Sequence, residues 1–211
     1  MKVLLVNGSP HKNGCTNRAL EEVAKTLQQD GVEAEIYWIG AKPLGGCTGC
    51  GQCEKLKQCV FSDAVNEFRQ KAYEADGFVF GSPVHYAGMC GNLVGFMDRL
   101  FFSEFCGNQN KAFYLKPAAA VVSSRRGGTT SVFSQLNKYF TVQEMPVIST
   151  RYWNMVHGMN PKEVEEDKEG LCNMRVLGHN MAYFLKCRDL ANKAGLSLPP
   201  YETPQFTNFI H

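Results

Sequence analysis

Long apolar runs are absent from this 211-residue chain. The run that follows Met1, Lys2-Val3-Leu4-Leu5-Val6, stops at Asn7-Gly8-Ser9-Pro10. It is shorter than the apolar core of a signal peptide, and nothing later approaches the roughly 18 apolar residues of a membrane span. The expectation is a chain that is neither exported nor embedded in a membrane and that works in the cytoplasm. Excess charge is missing too: 22 Lys and Arg stand against 20 Asp and Glu, a net of +2. That balance offers no basic stripe for nucleic acid or a bilayer surface. Two phosphate-binding signatures also fail to appear. The turn after the first apolar run has neither the Lys-Ser/Thr of a P-loop nor the Gly-x-Gly-x-x-Gly of a dinucleotide fold, which disfavours nucleotide hydrolysis. No internal repeat and no long linker divide the chain.

What is present is an alternation of strand and helix signals. Lys2 to Val6 reads as a parallel strand buried on both faces. A helix is expected from about Thr16 to Gln29, with Leu20, Val23, Ala24 and Leu27 at helical spacing and Gly31 as its stop. Glu33 to Ile39 reads as strand two. Asp63 to Tyr73 reads as a helix capped by Ser62 or Asp63. Strand three is Gly77 to Phe80, ending at Gly81-Ser82-Pro83, and a strongly apolar helix covers Gly88 to Phe105. Strand four is Ala118 to Val122, ending at Ser123-Ser124. A helix near Thr130 to Phe140 and a last strand near Pro146 to Thr150 come next. The final helix has Asn160 as cap and Pro161 at its first position, and runs with interruptions to about Lys193.

This order predicts an α/β fold with a parallel, doubly wound sheet. Residues 1–195 form one domain, including a cysteine-rich loop over 41–60. Leu196 to His211 reads as an extended arm with three prolines, Phe206 and Phe209. In such sheets a ligand sits beyond the carboxyl ends of the strands, where the strand order reverses. Polar or glycine-rich turns follow strands one, three and four, so they point to one composite site. In the first turn, free amides and the positive end of the following helix suit a phosphate monoester. Ser9, Thr16 and Asn17 can add side-chain donors; an ordinary capped turn is the plain alternative.

Gly8-Ser9-Pro10 with Asn13-Gly14 and Thr16-Asn17 resembles the phosphate loop of NAD(P)H-dependent FMN reductases of the flavodoxin-like superfamily. Gly81-Ser82-Pro83-Val84-His85-Tyr86 with Asp98-Arg99 is similar to that family's second signature, and Ser123-Ser124-Arg125-Arg126-Gly127-Gly128 to its third flavin loop. Asp167-Lys168-Glu169-Gly170, Leu177-Gly178 and Asn180-Met181-Ala182 resemble the closing helix of bacterial and archaeal members. The resemblance implies a three-layer flavodoxin-like sandwich with five parallel strands in the order 2-1-3-4-5. It implies FMN held by Ser9, His11, Asn13, Cys15, Thr16 and Asn17 at the phosphate, with Cys15 standing where many relatives carry Asn. Along the ring and ribityl chain it implies Pro83, Val84, His85, Tyr86, Gly88, Ser124, Arg125, Gly127 and Gly128. His85 and Tyr86 can equally be surface loop residues. Arg125 and Arg126 can meet the phosphate of a nicotinamide nucleotide or simply be solvated. Asp98-Arg99 reads as a structural or interface ion pair.

Nine cysteines are many for a cytosolic chain, where thiols stay reduced. Cys15, Cys90, Cys106, Cys172 and Cys187 are scattered, and most are expected to be small buried hydrophobes. Cys47, Cys50, Cys53 and Cys59 crowd into thirteen residues. Three thiolates at every third position, with a fourth soon after, can wrap one metal centre, and the surrounding glycines give the backbone freedom to do so. The spacing resembles that of iron-sulfur flavoproteins, a branch of the same superfamily, which implies a [4Fe-4S] cluster beside FMN. A structural zinc site and a metal-free vestige are the other readings of this loop. A redox-active Cys47-Cys50 pair lacks its βαβ context.

The leading expectation is an enzyme in which FMN takes a hydride from NADH or NADPH and reduces a small acceptor: a quinone, free flavin, azo or nitro compound. No catalytic side chain is nominated, because the cofactor performs hydride chemistry while the protein orients it. The alternative is an electron carrier with FMN and [4Fe-4S] that exchanges electrons with a protein such as ferredoxin. The helix over 88–105 carries Leu93, Phe96, Met97, Leu100, Phe101, Phe102 and Phe105, more apolar surface than one face needs. With the family's habit, that implies a homodimer or homotetramer.

Overall fold

Alternate residues of the first apolar run bury themselves in opposite directions, and the two cores of the molecule grow from that strand. In the computed structural model, which describes residues 1–209, β1 (Lys2–Asn7) sends Leu4 and Val6 to one core and Val3 and Leu5 to the other. The elements that follow are α1 (Cys15–Gln29), β2 (Glu33–Trp38), α2 (Cys53–Leu56), α3 (Ala64–Glu74), β3 (Gly77–His85), β4 (Gly88–Met89) and α4 (Gly91–Asn108). After these come β5 (Ala118–Ser124), α5 (Thr129–Val142), β6 (Met155–His157), α6 (Pro161–Glu166) and α7 (Lys168–Lys193). Five parallel strands pair in the order β2-β1-β3-β5-β6, and β4 folds back antiparallel on β3. The expected order of the five parallel strands is therefore present, with a short hairpin added.

One layer, with α3, α4 and α5, packs Phe68, Phe96, Phe101 and Phe140 against Phe78 and Phe80. The other, with α1 and α7, packs Leu20, Val23, Leu27, Met174 and Leu177 against Val3, Leu5 and Val79. Each of these side chains contributes about 1.5–3 kcal/mol when fully buried. The apolar excess of α4 is largely explained here. Leu93, Phe96, Met97, Leu100 and Phe101 are buried in the core, which leaves Phe102 exposed and Phe105 half-buried.

Several expectations need correction. The last strand is not a continuous segment over 146–150. Val147 bridges Ala118 at one end of β5, the chain loops outward, and β6 pairs with Val122 to Ser124 at the other end. Asn154 closes the gap, its Nδ2 donating to Ala120 O at 3.0 Å. The helix expected from Gly88 starts at Gly91, because Gly88 and Met89 pair with His85 and Val84. The closing helix is two helices. Asn160 caps α6 as expected, accepting from the Lys162 and Glu163 amides. Asp167 then breaks the run and caps α7, accepting from Gly170 N at 2.9 Å and from His157 N at 2.7 Å.

Of the scattered cysteines only Cys90 is buried; Cys15, Cys106 and Cys172 are half-buried and Cys187 is exposed. Residues 196–209 carry no regular structure. They lean back through Tyr201, edge-on to Tyr114 at 5.2 Å. Ile210 and His211, the end of the expected arm, lie outside the described residues. No helix among the described residues is long and apolar enough to cross a membrane.

Candidate functional site

The turns that leave β1, β3 and β5 enclose a cleft of about 530 Å³, within the range of roughly 300–1,000 Å³ typical of small-molecule sites. Its first wall is built from the end of β1. Asn7 is fully buried; its Nδ2 donates to Lys12 O and Asn17 Oδ1, and its Oδ1 accepts from Ser9 N at 3.0 Å. Trp38 Nε1 donates to Ser9 O at 2.8 Å, fixing the turn from β2. The Ser9 hydroxyl accepts from His11 N at 3.1 Å and keeps its own hydrogen to donate. No side chain caps α1, whose N-cap is Gly14. The first-turn amides and the positive helix end thus face the cleft uncapped, a setting suited to a phosphate.

Thr16 and Cys15 use their side chains differently from expectation. The Thr16 hydroxyl lies 2.7 Å from that of Ser123, and both are buried, so the pair ties the first turn to the third. The Cys15 thiol donates to Gly158 O at 3.4 Å, and burial pushes its pKa up, which keeps it a neutral donor. Asn17 turns away from the cleft, bonded to Asn7 and Glu21. His11 and Asn13 stand on the rim with Ser9 below them.

Pro83, Val84 and His85 form the second wall. Tyr86 and Ala87 make the two-residue turn to β4 with φ of 49° and 57°. This is the left-handed geometry that Asn-Gly usually supplies. Tyr86 projects fully into solvent and does not line the cleft, and Gly88 is engaged in pairing with His85. Ser124 and Arg125 form the third wall, with Arg125, Arg126 and Gly127 exposed. Gly128 sits at φ 96°, and a Cβ there would stand 2.8 Å from Val84 Cγ1, so only glycine lets the third turn lie on the second. A fourth wall, residues 158–161, was not expected. Its signal was the Asn160-Pro161 cap, which places the β6–α6 turn on this same edge of the sheet.

The cysteine loop forms a second, separate site. Cys47, Cys50, Cys53 and Cys59 all line one pocket, with Val60, Phe61 and Phe102 as apolar walls and Arg99 beside them. The open space among them is about 20 Å³, room for about one water. Among the described residues, no three His, Cys, Asp or Glu side chains gather round a single-ion position. The four sulfurs therefore line a wall instead of meeting at a point. Gly49 and Gly51 adopt φ of 66° and 67°, and nothing lies within 4 Å of where their side chains would be. Asn66 anchors the far end, accepting from Cys59 N at 3.1 Å and donating to Cys59 O at 2.8 Å and Phe61 O at 2.9 Å. Hydrogen bonds from the Gln52 amide and the Thr48 hydroxyl lower the Cys50 pKa. Burial raises that of Cys53, and it pushes Cys106, in contact with Cys53, up to about 11.

The expected Asp98-Arg99 ion pair is not formed. Adjacent residues on a helix point in different directions: Asp98 accepts from the Tyr139 hydroxyl, while Arg99 forks onto Asp63 at 2.8 and 2.9 Å.

The profile of the family described as NADPH-dependent FMN reductase matches residues 1–160. The chain belongs to that family. This family member is 31% identical over 195 residues to an iron-sulfur flavoprotein of Methanocaldococcus jannaschii, an alignment covering 88% of this chain and 98% of the relative. Among solved structures it resembles RosB with bound 8-demethyl-8-formylriboflavin-5'-phosphate (TM-score 0.71, 14% identity, 100% of this chain and 98% of that one). It also resembles a flavodoxin from the domain Archaea (TM-score 0.58, 16% identity, 88% and 99%). These structural likenesses carry the flavodoxin-like fold. Family and fold together make the chain an FMN-binding oxidoreductase.

Proposed function

We propose that this protein is an iron-sulfur flavoprotein, with FMN in the cleft between the turns and a [4Fe-4S] cluster on Cys47, Cys50, Cys53 and Cys59. The observation that carries this reading is that all four cysteines of one glycine-rich loop line one pocket. The donor set is right for a cubane, which takes one thiolate on each of four irons. The space now among the sulfurs is smaller than a cluster. The exposed Cys47 and Cys50 and the unobstructed Gly49 and Gly51 beside Cys50 supply the outward movement that loading needs.

In the cleft, the α1 amides and Ser9 would hold the FMN phosphate, with His11 and Asn13 on the rim. Pro83, Val84 and His85 would flank the ring, and Ser124, Gly127 and Gly128 the ribityl side. Bound FMN supplies hydride acceptance and one-electron transfer. The chain's own part is to orient the cofactor and shield one face of it. A cluster supplies single electrons, so the expected partner is an electron-transfer protein such as ferredoxin. We place the protein in the cytoplasm.

A second reading keeps FMN alone and takes a hydride from NADPH or NADH for a quinone, flavin, azo or nitro acceptor. Arg125, exposed on the rim of the cleft where a dinucleotide phosphate would approach, favours it. Purification without oxygen, a visible spectrum, and iron, sulfide and zinc analysis decide between them. Flavin bands with about four irons per chain and slow NAD(P)H oxidation support the first reading. Flavin without iron and fast NAD(P)H oxidation support the second, and zinc would make the loop structural.

For both readings we propose at least a homodimer, up to a homotetramer. The groove of about 400 Å³ among Phe102, Phe105, Tyr139 and Val142 is its contact face.

A further inference from the structure

We infer that Arg99 sets the reduction potential of the cluster by donating a hydrogen bond to the Cys59 sulfur. The inference rests on the cluster reading above and assigns a role to a residue that binds neither cofactor directly. Arg99 lies mid-helix on α4 and is 2% exposed. Its Nε stands 3.2 Å from Cys59 Sγ. Its two Nη atoms grip both oxygens of Asp63, and Nη1 also reaches Gly45 O at 3.4 Å. The guanidinium lies 4.9 Å from the centre of the Phe61 ring. It is thus held on every side and has one N–H directed at a cysteine of the pocket.

Structure alone does not require this arrangement. An Arg99–Asp63 pair would fasten the loop to α4 without the bond to sulfur. The guanidinium interposes a buried cation between Asp63 and the pocket, with its Nε–H on the Cys59 sulfur. Adding an electron to a cluster increases negative charge at its sulfurs. A donor and a positive charge at that point favour the reduced form and raise the potential. Asp63 opposes the effect from the far side of the guanidinium. Substitutions at these two residues should therefore act in opposite directions. Arg99→Lys keeps a charge and loses the Nε donor, and Arg99→Met loses both. Asp63→Asn keeps the α3 cap, since Asn caps as well as Asp, and leaves the Arg99 charge less compensated.

The test uses the full chain with FMN, reconstituted anaerobically with ferrous iron and sulfide and titrated with the cluster's EPR signal as readout. Arg99→Met is expected to shift the oxidised-to-reduced ratio at a given potential at least tenfold toward oxidised, about 59 mV for a one-electron couple. Arg99→Lys should shift the same way by less, and Asp63→Asn the opposite way, all with unchanged iron, sulfide and flavin content. Full clusters with wild-type potentials in both Arg99 variants would overturn the inference and leave the cluster reading intact. So would an Asp63→Asn shift in the same direction as Arg99→Met, which would mark a loop-packing effect. If Arg99→Met does not assemble a cluster, Arg99→Lys and Asp63→Asn still give the two opposite shifts to be compared. A wild-type chain that binds FMN but takes up no iron or sulfide would remove the cluster reading, and the Arg99 inference with it.

Discussion

Between the second and third turns, Gly128 has room for a hydrogen atom and no more. A methyl group there meets Val84 at 2.8 Å and the Ala87 backbone at 3.0 Å, at a left-handed φ. Gly128→Ala is therefore expected to cost about 1–3 kcal/mol, the range for a strained backbone position, and to weaken FMN by pushing the second and third turns apart. Thermal unfolding and flavin titration measure the two effects. Lys116 shows a different single-residue effect. Its Nζ donates to Ala72 O at 2.9 Å, and burial lowers its pKa from 10.5 to about 8. Between pH 8 and 10.5 the unfolded chain holds a proton that the folded chain has released. The Lys116 contribution to stability therefore rises with pH across that window, and it is flat below it, where both states are protonated. Urea unfolding from pH 7 to 10 should show that rise in the stability difference between the wild-type chain and Lys116→Met. At this scale the sequence spoke only where chemistry was local. Ser9, His11 and Asn13 are neighbours in one turn, and their common place at the cleft was readable from the sequence. The bonds from Trp38 to Ser9, Thr16 to Ser123 and Arg99 to Cys59 join residues far apart in the chain, and no periodicity announces them.

Helices and strands were readable where burial follows a period. The fully buried runs of β1 and β5 and the striped face of α1 fall within a residue or two of their expected bounds. The hairpin of β3 and β4 was missed because Tyr86-Ala87 is a poor sequence for a left-handed turn; the β3–β4 pairing, the Gln135 bond to Met89 N and the close approach of Ala87 to Gly128 accompany it. The edge strand was misplaced because 146–150 looks as strand-like as 155–157; the Asn154 side chain decides which segment pairs. Between α3 and α4 a buried network holds two elements together. Glu104, fully buried, accepts from Arg69 Nε at 2.6 Å, Tyr73 at 2.8 Å, Asn108 at 3.0 Å and the Ala112 amide at 3.1 Å. Asn108 also donates to Lys57 O, which carries the network to the end of the cysteine loop. Glu104→Gln leaves Arg69 buried without a carboxylate, a loss of about 3–5 kcal/mol for such pairs. Denaturant midpoints measure it, and a change below 1 kcal/mol would show that Tyr73 and water compensate.

For the molecule as a whole, a parallel, doubly wound sheet followed from alternation and from the turns that punctuate it, and the strand order from the family resemblance. The relation between the cleft and the cysteine pocket did not, since it depends on how the loop folds onto α4. The open groove between α4 and α5 is where association should be felt. Val142, 69% exposed, replaced by Glu is expected to convert the proposed dimer to monomers in sedimentation velocity without loss of bound flavin, and a monomeric wild-type chain would overturn the proposal of association. An unchanged sedimentation coefficient would place the contact elsewhere.

The interrupted last strand has a consequence for how copies of this chain avoid one another. An open sheet ends in two rows of unpaired backbone groups, each a template for another chain. On the β2 side, Glu33 and Glu35 with their partners Lys2 and Lys71 line the boundary with charge. On the β6 side the outward loop breaks the row after a single bridge, and that loop carries Tyr152 and Trp153, whose rings meet at a tilt of 58°. Neither border offers the long flat strip on which aggregates nucleate. Crowded copies are left to meet through side chains, not through a shared sheet.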